Sequence, residues 1–158
     1  MSDEIVLKNL DPIKIQKYQQ NRYPCFFVDC IEEAVAGKYA KGYKNFTFNE
    51  WFFPAHFADE PNVPGFIQIE TMAQVFLMTF LTLSGNEGKK AAAIQIKARF
   101  KMKIVPGMRL DLYAELDSYA RGVAKGRVTG TVNGQPACSL EIMAAIPEIM
   151  TAFIPPKA

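Results

Sequence analysis

The sequence predicts an α+β domain in which an antiparallel sheet wraps around one long central helix. Residues 64–83 are apolar nearly all round at helical spacing, which is typical of a helix buried on all sides. Four strand-like segments separated by turn signals follow this helix, and two more precede it. Because a buried helix has to pack its surface against other elements, these observations together indicate the fold class.

The elements before the long helix are predicted from local signals. Residues 11–20 are predicted to form a short helix, with Asp11 as its cap and Pro12 in its first turn. Residues 25–34 and 38–49 are predicted strands, the second because polar and aromatic residues alternate along it.

Four strands are predicted after the long helix, which should end at the glycine-containing segment 84–88. The strands are expected at residues 89–104, 109–119, 122–132 and 135–146. Asn133-Gly134 between the last two strands predicts a tight type I′ hairpin.

The composition fits one domain over residues 1–158, with flexible tails expected at 1–10 and 148–158. Of its 158 residues, 49% are apolar, enough for a core without metals or disulfides. The net charge of +2 does not indicate nucleic-acid binding.

Targeting and metal-binding patterns are also missing from the sequence. The acidic N-terminus is unlike a signal peptide, and the polar residues within segment 66–83 argue against a membrane span. Three cysteines without CxxC spacing and a single histidine form no usual zinc site. We therefore expect free thiols, a cytoplasmic location, and no metal or organic cofactor.

A long motif covers residues 49–74, NEWFFPAHFADEPNVPGFIQIETMAQ. Its first part, residues 50–64, holds three prolines and cannot be regular structure, and long irregular segments in compact domains are commonly functional. The motif resembles the bacterial 3-hydroxyacyl-acyl-carrier-protein dehydratases of fatty-acid synthesis. Their pattern is Asn-Glu-x-Phe-Phe-Pro-Gly-His-Phe, then Pro-x-x-Pro-Gly, then Glu-x-x-Ala-Gln. The matching positions are Asn49, Glu50, Phe52, Phe53, Pro54, His56, Phe57, Pro61, Pro64, Gly65, Glu70, Ala73 and Gln74.

The resemblance extends from about residue 10 to 147 and implies a hot-dog fold and loss of water from a 3-hydroxyacyl thioester. This reaction needs a base for the α proton, an acid for the leaving hydroxyl, and a group that stabilises the thioester oxygen. The resemblance also implies a homodimer in which the histidine and the glutamate of one site come from different subunits, and a further assembly into a trimer of dimers.

His56 and Glu70 are the predicted catalytic pair. Neutral imidazole suits a base at neutral pH, although a merely packed or surface histidine is the alternative for His56. Glu70 lies in an otherwise apolar helix, where lost hydration favours the protonated form of a proton donor. Gln74, one turn further on, can orient Glu70 by a hydrogen bond, or the two can form a purely structural pair.

Three further kinds of site residue are predicted. The amide of Gly65, at the helix start, is expected to polarise the thioester carbonyl, unless the glycine only eases the start of the helix. Phe57, Phe76 and Phe80 are candidate walls of an acyl channel, with ordinary core packing as an equal interpretation for the last two. Lys97, Arg99, Lys101 and Lys103 alternate with apolar residues and could dock an acidic carrier protein, or simply form a solvated face.

The sequence departs from the family pattern at two places. Ala55 stands where the family has glycine, which costs about 1 kcal/mol if this position requires a positive φ. Ala58-Asp59-Glu60 replaces Pro-Gly-Arg, so two acids lie close to the loop of His56. A related branch of the family, the dehydratase–isomerases, carries aspartate at the position of Glu70, so the resemblance implies dehydration without isomerisation.

The sequence therefore predicts a dehydratase that converts a (3R)-3-hydroxyacyl thioester on acyl carrier protein to the trans-2-enoyl thioester. Two alternatives stay open. One is an acyl thioesterase of the same architecture, in which a carboxylate activates water. The other is a non-catalytic subunit that binds acyl groups for a partner.

Overall fold

The computed structural model of the chain describes residues 3–149 and residue 157. It contains one seven-stranded antiparallel sheet and one long helix, which confirms the predicted α+β class. In chain order the elements are β1 (Val6–Leu10), α1 (Pro12–Ile15), β2 (Cys30–Val35), β3 (Tyr39–Asn45), α2 (Gly65–Phe80), β4 (Ala92–Phe100), β5 (Arg109–Ala120), β6 (Val123–Val132), β7 (Gln135–Ala145) and a short 3-10 turn (Pro147–Ile149). No helix within the described residues is long and apolar enough to cross a membrane.

The sheet runs in the order β1-β2-β3-β5-β6-β7-β4, and every neighbouring pair is antiparallel. Helix α2 packs against β2, β3, β5, β6 and β7, so the sheet curves around it. Asn133 and Gly134 both have positive φ, as the predicted tight hairpin between β6 and β7 requires. The core therefore lies between α2 and the concave face of the sheet.

Helix α2 is buried along most of its length, as its apolar composition predicts. Met72, Val75, Phe76 and Phe80 are fully inaccessible. Pro64 precedes the helix with an extended backbone, and Leu81 closes it through a hydrogen bond from its N–H to the carbonyl of Leu77. Burial of this helix removes its apolar side chains from water and so stabilises the fold.

Strand β3 faces the core with its small residues, not with its tyrosines. Ala40 and Gly42 are buried, whereas Tyr39 and Tyr43 lie on the outer face. A β carbon on Gly42 would come within 2.5 Å of the Cys30 carbonyl oxygen, so close strand contact requires a glycine there. The predicted alternation is present in β3, but its tyrosines lie on the outer face of the sheet.

The N-terminal region differs from the sequence prediction. Residues 1–10 were expected to be a flexible tail, but Val6–Leu10 forms strand β1 against β2. The expected helix over 11–20 is only four residues long, because the Arg22 guanidinium hydrogen-bonds the carbonyls of Gln16 and Gln19 and turns the chain. The C-terminal tail predicted at 148–158 lies outside the described residues, except for Glu148, Ile149 and Lys157.

Strand β4 is one edge of the sheet and, within the described residues, pairs only with β7. It spans Ala92–Phe100, which is shorter than the expected 89–104. Both of its faces are largely exposed, and Ile94, Ile96 and Phe100 are 43%, 39% and 48% accessible. A single subunit therefore leaves an apolar sheet edge in contact with solvent.

Candidate active site

The segment from Phe46 to Pro64, here called the base loop, carries His56. It consists of consecutive turns from Glu50 to Asp59. Phe46, Phe52 and Phe53 are almost completely buried, and the ring of Phe52 lies edge-on to Phe46 at 6.1 Å between centroids. These aromatic residues pin an otherwise irregular loop to the core.

A buried ion pair also holds the base loop. The ammonium of Lys44, on β3, lies 2.5 Å from a carboxylate oxygen of Glu50 and 3.5 Å from one of Asp29. The side chain of Lys44 is only 8% exposed, so its charge is compensated almost entirely by these two carboxylates. No sequence pattern indicates this contact, because Lys44 occupies a core-facing strand position where a lysine is not expected.

His56 is half-buried, and its orientation within the base loop is set by Asn62. Its Nδ1 lies 3.1 Å from the carbonyl oxygen of Asn62. Since a carbonyl only accepts hydrogen bonds, Nδ1 carries the hydrogen and Nε2 keeps the free lone pair. The backbone N–H of Asn62 donates back to the carbonyl of His56 at 2.9 Å. This tautomer leaves Nε2 as the basic nitrogen.

Glu70 lies in the second turn of α2 and is half-buried. Its Oε1 accepts hydrogen bonds from Nε2 of Gln74 at 2.9 Å and from Nδ2 of Asn21 at 3.2 Å. No hydrogen bond to Oε2 is found within the described residues. We call Asn21, Glu70 and Gln74 the acid cluster.

The side-chain amide of Gln74 is completely buried and satisfied at both ends. Its oxygen accepts from the N–H of Phe27 at 2.8 Å, and its nitrogen donates to the carbonyl of Cys25 at 2.8 Å as well as to Glu70. These bonds satisfy backbone groups of Cys25 and Phe27, which were expected to belong to β2, whereas Asp29 donates its N–H to the carbonyl of Tyr43 on β3. The predicted contact between Gln74 and Glu70 is present, and Gln74 also ties the N-terminal segment to α2.

Gly65 is the first residue of α2, where a main-chain N–H has no partner within the helix. The ring of Phe100 lies against it, and a β carbon on Gly65 would be 3.1 Å from that ring. Gln68, which is buried, donates to the carbonyl of Val63 at 3.2 Å and so braces the turn that leads into the helix. A larger residue here would require the ring of Phe100 to move by a few tenths of an ångström.

The structure places the predicted catalytic pair on different elements. Glu70 lies on α2 and His56 lies in the base loop, and no hydrogen bond between them is found within the described residues. Phe57 is exposed and packs beside the His56 ring, with 4.6 Å between ring centroids. Phe76 and Phe80 are fully buried in the core, where Phe76 packs against Gly126, so the structure favours core packing for these two.

The predicted cationic stripe is only partly on a strand. Lys97 and Arg99 belong to β4, whereas Lys101 and Lys103 lie beyond its end. Lys103 forms an ion pair with Glu60, and this hydrogen bond holds the pKa of the Glu60 carboxyl below its usual value. One of the two unusual acids thus neutralises one of the predicted docking cations.

The backbone at Ala55 does not have a positive φ. Within the described residues, the non-glycine residues with positive φ are Asn9, Arg121 and Asn133. The cost that alanine would carry at a position of positive φ is therefore not incurred, and the loop geometry does not depend on a glycine at position 55.

Comparison with known proteins gives close relatives over most of the chain. A family model described as a FabA-like domain matches residues 21–141. The 3-hydroxyacyl-[acyl-carrier-protein] dehydratase FabZ of Clostridium novyi is 42% identical over 134 residues, which covers 84% of this chain and 94% of the relative. The protein of the same name from Exiguobacterium sibiricum is also 42% identical over 134 residues, with 84% and 96% covered.

Solved structures share the architecture at low identity. The dehydratase heterocomplex ApeI:P from Xenorhabdus doucetiae matches with a TM-score of 0.73 at 13% identity, over 84% of this chain and 90% of that chain. The uncharacterized protein PH1136 from Pyrococcus horikoshii matches with a TM-score of 0.56 at 14% identity, over 70% and 76%. These likenesses confirm the hot-dog fold and carry no argument about the reaction.

Proposed function

The chain belongs to the FabA-like family, and from that premise we propose that it is a hydro-lyase that dehydrates 3-hydroxyacyl groups on acyl carrier protein in fatty-acid biosynthesis. Its substrate is the (3R)-3-hydroxyacyl thioester and its product the trans-2-enoyl thioester. The observation that carries the proposal is the 42% identity to named dehydratases over a span that includes His56, Gly65, Glu70 and Gln74. The same relatives favour dehydration over thioester hydrolysis.

His56 is the base of the proposed reaction. Because Nδ1 faces the carbonyl of Asn62, Nε2 has the lone pair that takes the proton from the carbon next to the thioester carbonyl. The electrons left behind form the carbon–carbon double bond as the bond from carbon 3 to its hydroxyl breaks.

Glu70 is the acid of the proposed reaction. Its protonated carboxyl gives a proton to the departing hydroxyl, which leaves as water. After turnover His56 carries an extra proton and Glu70 lacks one, so proton transfer between them or through solvent restores the starting state. A glutamate at this position supports dehydration without a following isomerisation.

Gly65 stabilises the developing negative charge on the thioester oxygen. Its free N–H lies at the positive end of α2, where a backbone donor and the helix dipole act together. The ring of Phe100 beside Gly65 limits the direction from which the thioester can approach.

Two copies of the chain are proposed to complete each site, with His56 from one subunit and Glu70 from the other. The exposed apolar edge strand β4 supports a homodimer, because two such edges pair and bury Ile94, Ile96 and Phe100 together. We extend this to a trimer of dimers. Arg99 and Lys101 offer cations to an acidic carrier protein. The three cysteines are free, as expected of a protein in a reducing cytoplasm.

A direct assay tests the proposed reaction. Purified protein is incubated with 3-hydroxyacyl thioesters of acyl carrier protein and of coenzyme A, in graded chain lengths, and enoyl absorbance is followed. We expect enoyl product from the carrier thioester and none from the His56→Ala variant. Free acid without enoyl product would contradict the proposal and favour a thioesterase, and binding without turnover would favour a non-catalytic subunit.

Subunit mixing tests the shared site. His56→Ala and Glu70→Gln proteins are each expected to be inactive, but a mixed dimer should contain one intact site. An equal mixture that has exchanged subunits should recover about a quarter of the wild-type activity. Absence of any recovery, with mixed dimers demonstrated by mass spectrometry, would place both residues of a site in one subunit.

A further inference from the structure

Asn21 contacts the acid of the proposed reaction although no local sequence pattern indicates it. Its Nδ2 lies 3.2 Å from Oε1 of Glu70, across 49 positions of the chain. Asn21 is half-buried and lies in an irregular segment, outside any helix or strand. Since its contact is with a carboxyl that is proposed to transfer a proton, the direction of this hydrogen bond matters chemically.

The orientation of Gln74 is fixed by its other partners. Its oxygen faces the N–H of Phe27, which only donates, and its nitrogen faces the carbonyl of Cys25, which only accepts. The amide therefore cannot be turned round without losing both bonds. It follows that Gln74 donates its remaining N–H to Oε1 of Glu70 and that Oε1 acts as an acceptor.

The segment that carries Asn21 is tied to Gln74 on both sides. Before Asn21, the side chain of Gln19 donates to the main-chain carbonyl of Gln74 at 3.1 Å. After it, Cys25 and Phe27 bond to the Gln74 side chain. The carbonyl of Asn21 itself accepts from Arg22 at 2.8 Å. These ties hold the Asn21 side chain against Glu70.

We propose that Asn21 is a positioning residue that works with Gln74 to keep Oε1 of Glu70 as a double acceptor, so that the transferable proton resides on Oε2. Two N–H groups on one carboxyl oxygen disfavour a hydrogen on that oxygen, and Oε2 has no competing partner within residues 3–149. The inference rests on the proposed function in one respect only, the role of Glu70 as proton donor.

Kinetics of matched variants test the proposal. Asn21→Ala removes one donor and should lower kcat about tenfold with KM within about twofold of wild type. Asn21→Asp keeps the shape but turns an acceptor towards Oε1, so kcat should fall further, to about one hundredth. Asn21→Gln keeps a donor and should recover part of the loss. Gln20→Ala is the control, because it removes a neighbouring amide whose hydrogen bond goes to Gly88 instead.

A measurement without turnover separates this proposal from the proposed function. In protein labelled with ¹³C at glutamate carboxyls, the Glu70 resonance is identified by its absence in Glu70→Gln. We expect it to shift in Asn21→Ala and to stay in place in Gln20→Ala, even if the wild-type chain dehydrates no substrate. An unmoved Glu70 resonance in Asn21→Ala, or a wild-type kcat in Asn21→Asp, would overturn the positioning role.

Discussion

The acid cluster and the base loop hold their functional groups by opposite means. Glu70 sits on a buried helix and is oriented by neutral amides, those of Gln74 and Asn21. His56 sits in a chain of turns that is pinned by buried phenylalanines and by the ammonium of Lys44. On the helix, two hydrogen bonds from side-chain amides aim the carboxyl of Glu70, one from the next turn and one from a residue 49 positions away, whereas the irregular loop must first be anchored as a whole.

The largest effect is expected where both regions are proposed to act on the same chemical step. His56→Ala and Glu70→Gln should each lower kcat by about 10³-fold, because each removes one proposed partner in proton transfer. Steady-state rates of enoyl formation measure this, with circular dichroism to show that the fold is intact. If one variant kept a rate near that of wild type, the expectation that both regions contribute equally to kcat would be wrong.

The next effect concerns the junction of the two regions, at the start of α2. Gly65→Ala should lower kcat/KM, because the new methyl group would meet the Phe100 ring at 3.1 Å and either the ring or the turn would have to shift. The double variant Gly65→Ala with Phe100→Leu should recover part of the thermal stability. A double variant no more stable than Gly65→Ala alone would show that Phe100 is not the obstacle.

A smaller effect is expected from the anchor of the base loop. Lys44→Met leaves Glu50 and Asp29 without their buried cation and should cost about 2–3 kcal/mol of unfolding free energy. We expect kcat to fall about tenfold, because His56 loses its support. Lys103→Met, which breaks an exposed ion pair with Glu60, is the matched control and should leave both quantities unchanged. Equal losses of unfolding free energy and of kcat in the two variants would show that the Lys44 ion pair supports the base loop no more than the exposed Lys103 ion pair does.

The smallest effect is expected at the position where the sequence departs from its family. Ala55→Gly should leave kcat within about twofold of wild type, because the backbone there is not in the left-handed region. Glycine should lower the melting temperature slightly, since it gains more freedom on unfolding. A clear gain in rate or stability would show that alanine does distort the base loop.

The regular elements could be predicted because their signals are local. Helix α2, the hairpin at Asn133-Gly134 and the strands around it follow from periodicity and turn chemistry. Strand β1 was missed because most of its residues face solvent and show no alternation. A four-residue helix α1 replaces the longer prediction because Arg22, a tertiary partner, ends it.

The site could be predicted only in part. His56, Gly65, Glu70 and Gln74 follow from the family pattern. Asn21 and Lys44 could not be found in this way, because their roles depend on contacts with residues that are remote in sequence or lie on another element. That His56 and Glu70 are not bonded within one subunit also follows only from three-dimensional packing.

The fully occupied amide of Gln74 also has a genetic consequence. A single nucleotide change in a glutamine codon can produce glutamate, lysine, arginine, histidine, leucine or proline. Glutamate loses the donor to Cys25, lysine and arginine lose the acceptor for Phe27, and the other three cannot supply an acceptor and two donors at the same reach. In a mutational scan under selection for activity, we therefore expect all six of these substitutions at position 74 to be depleted.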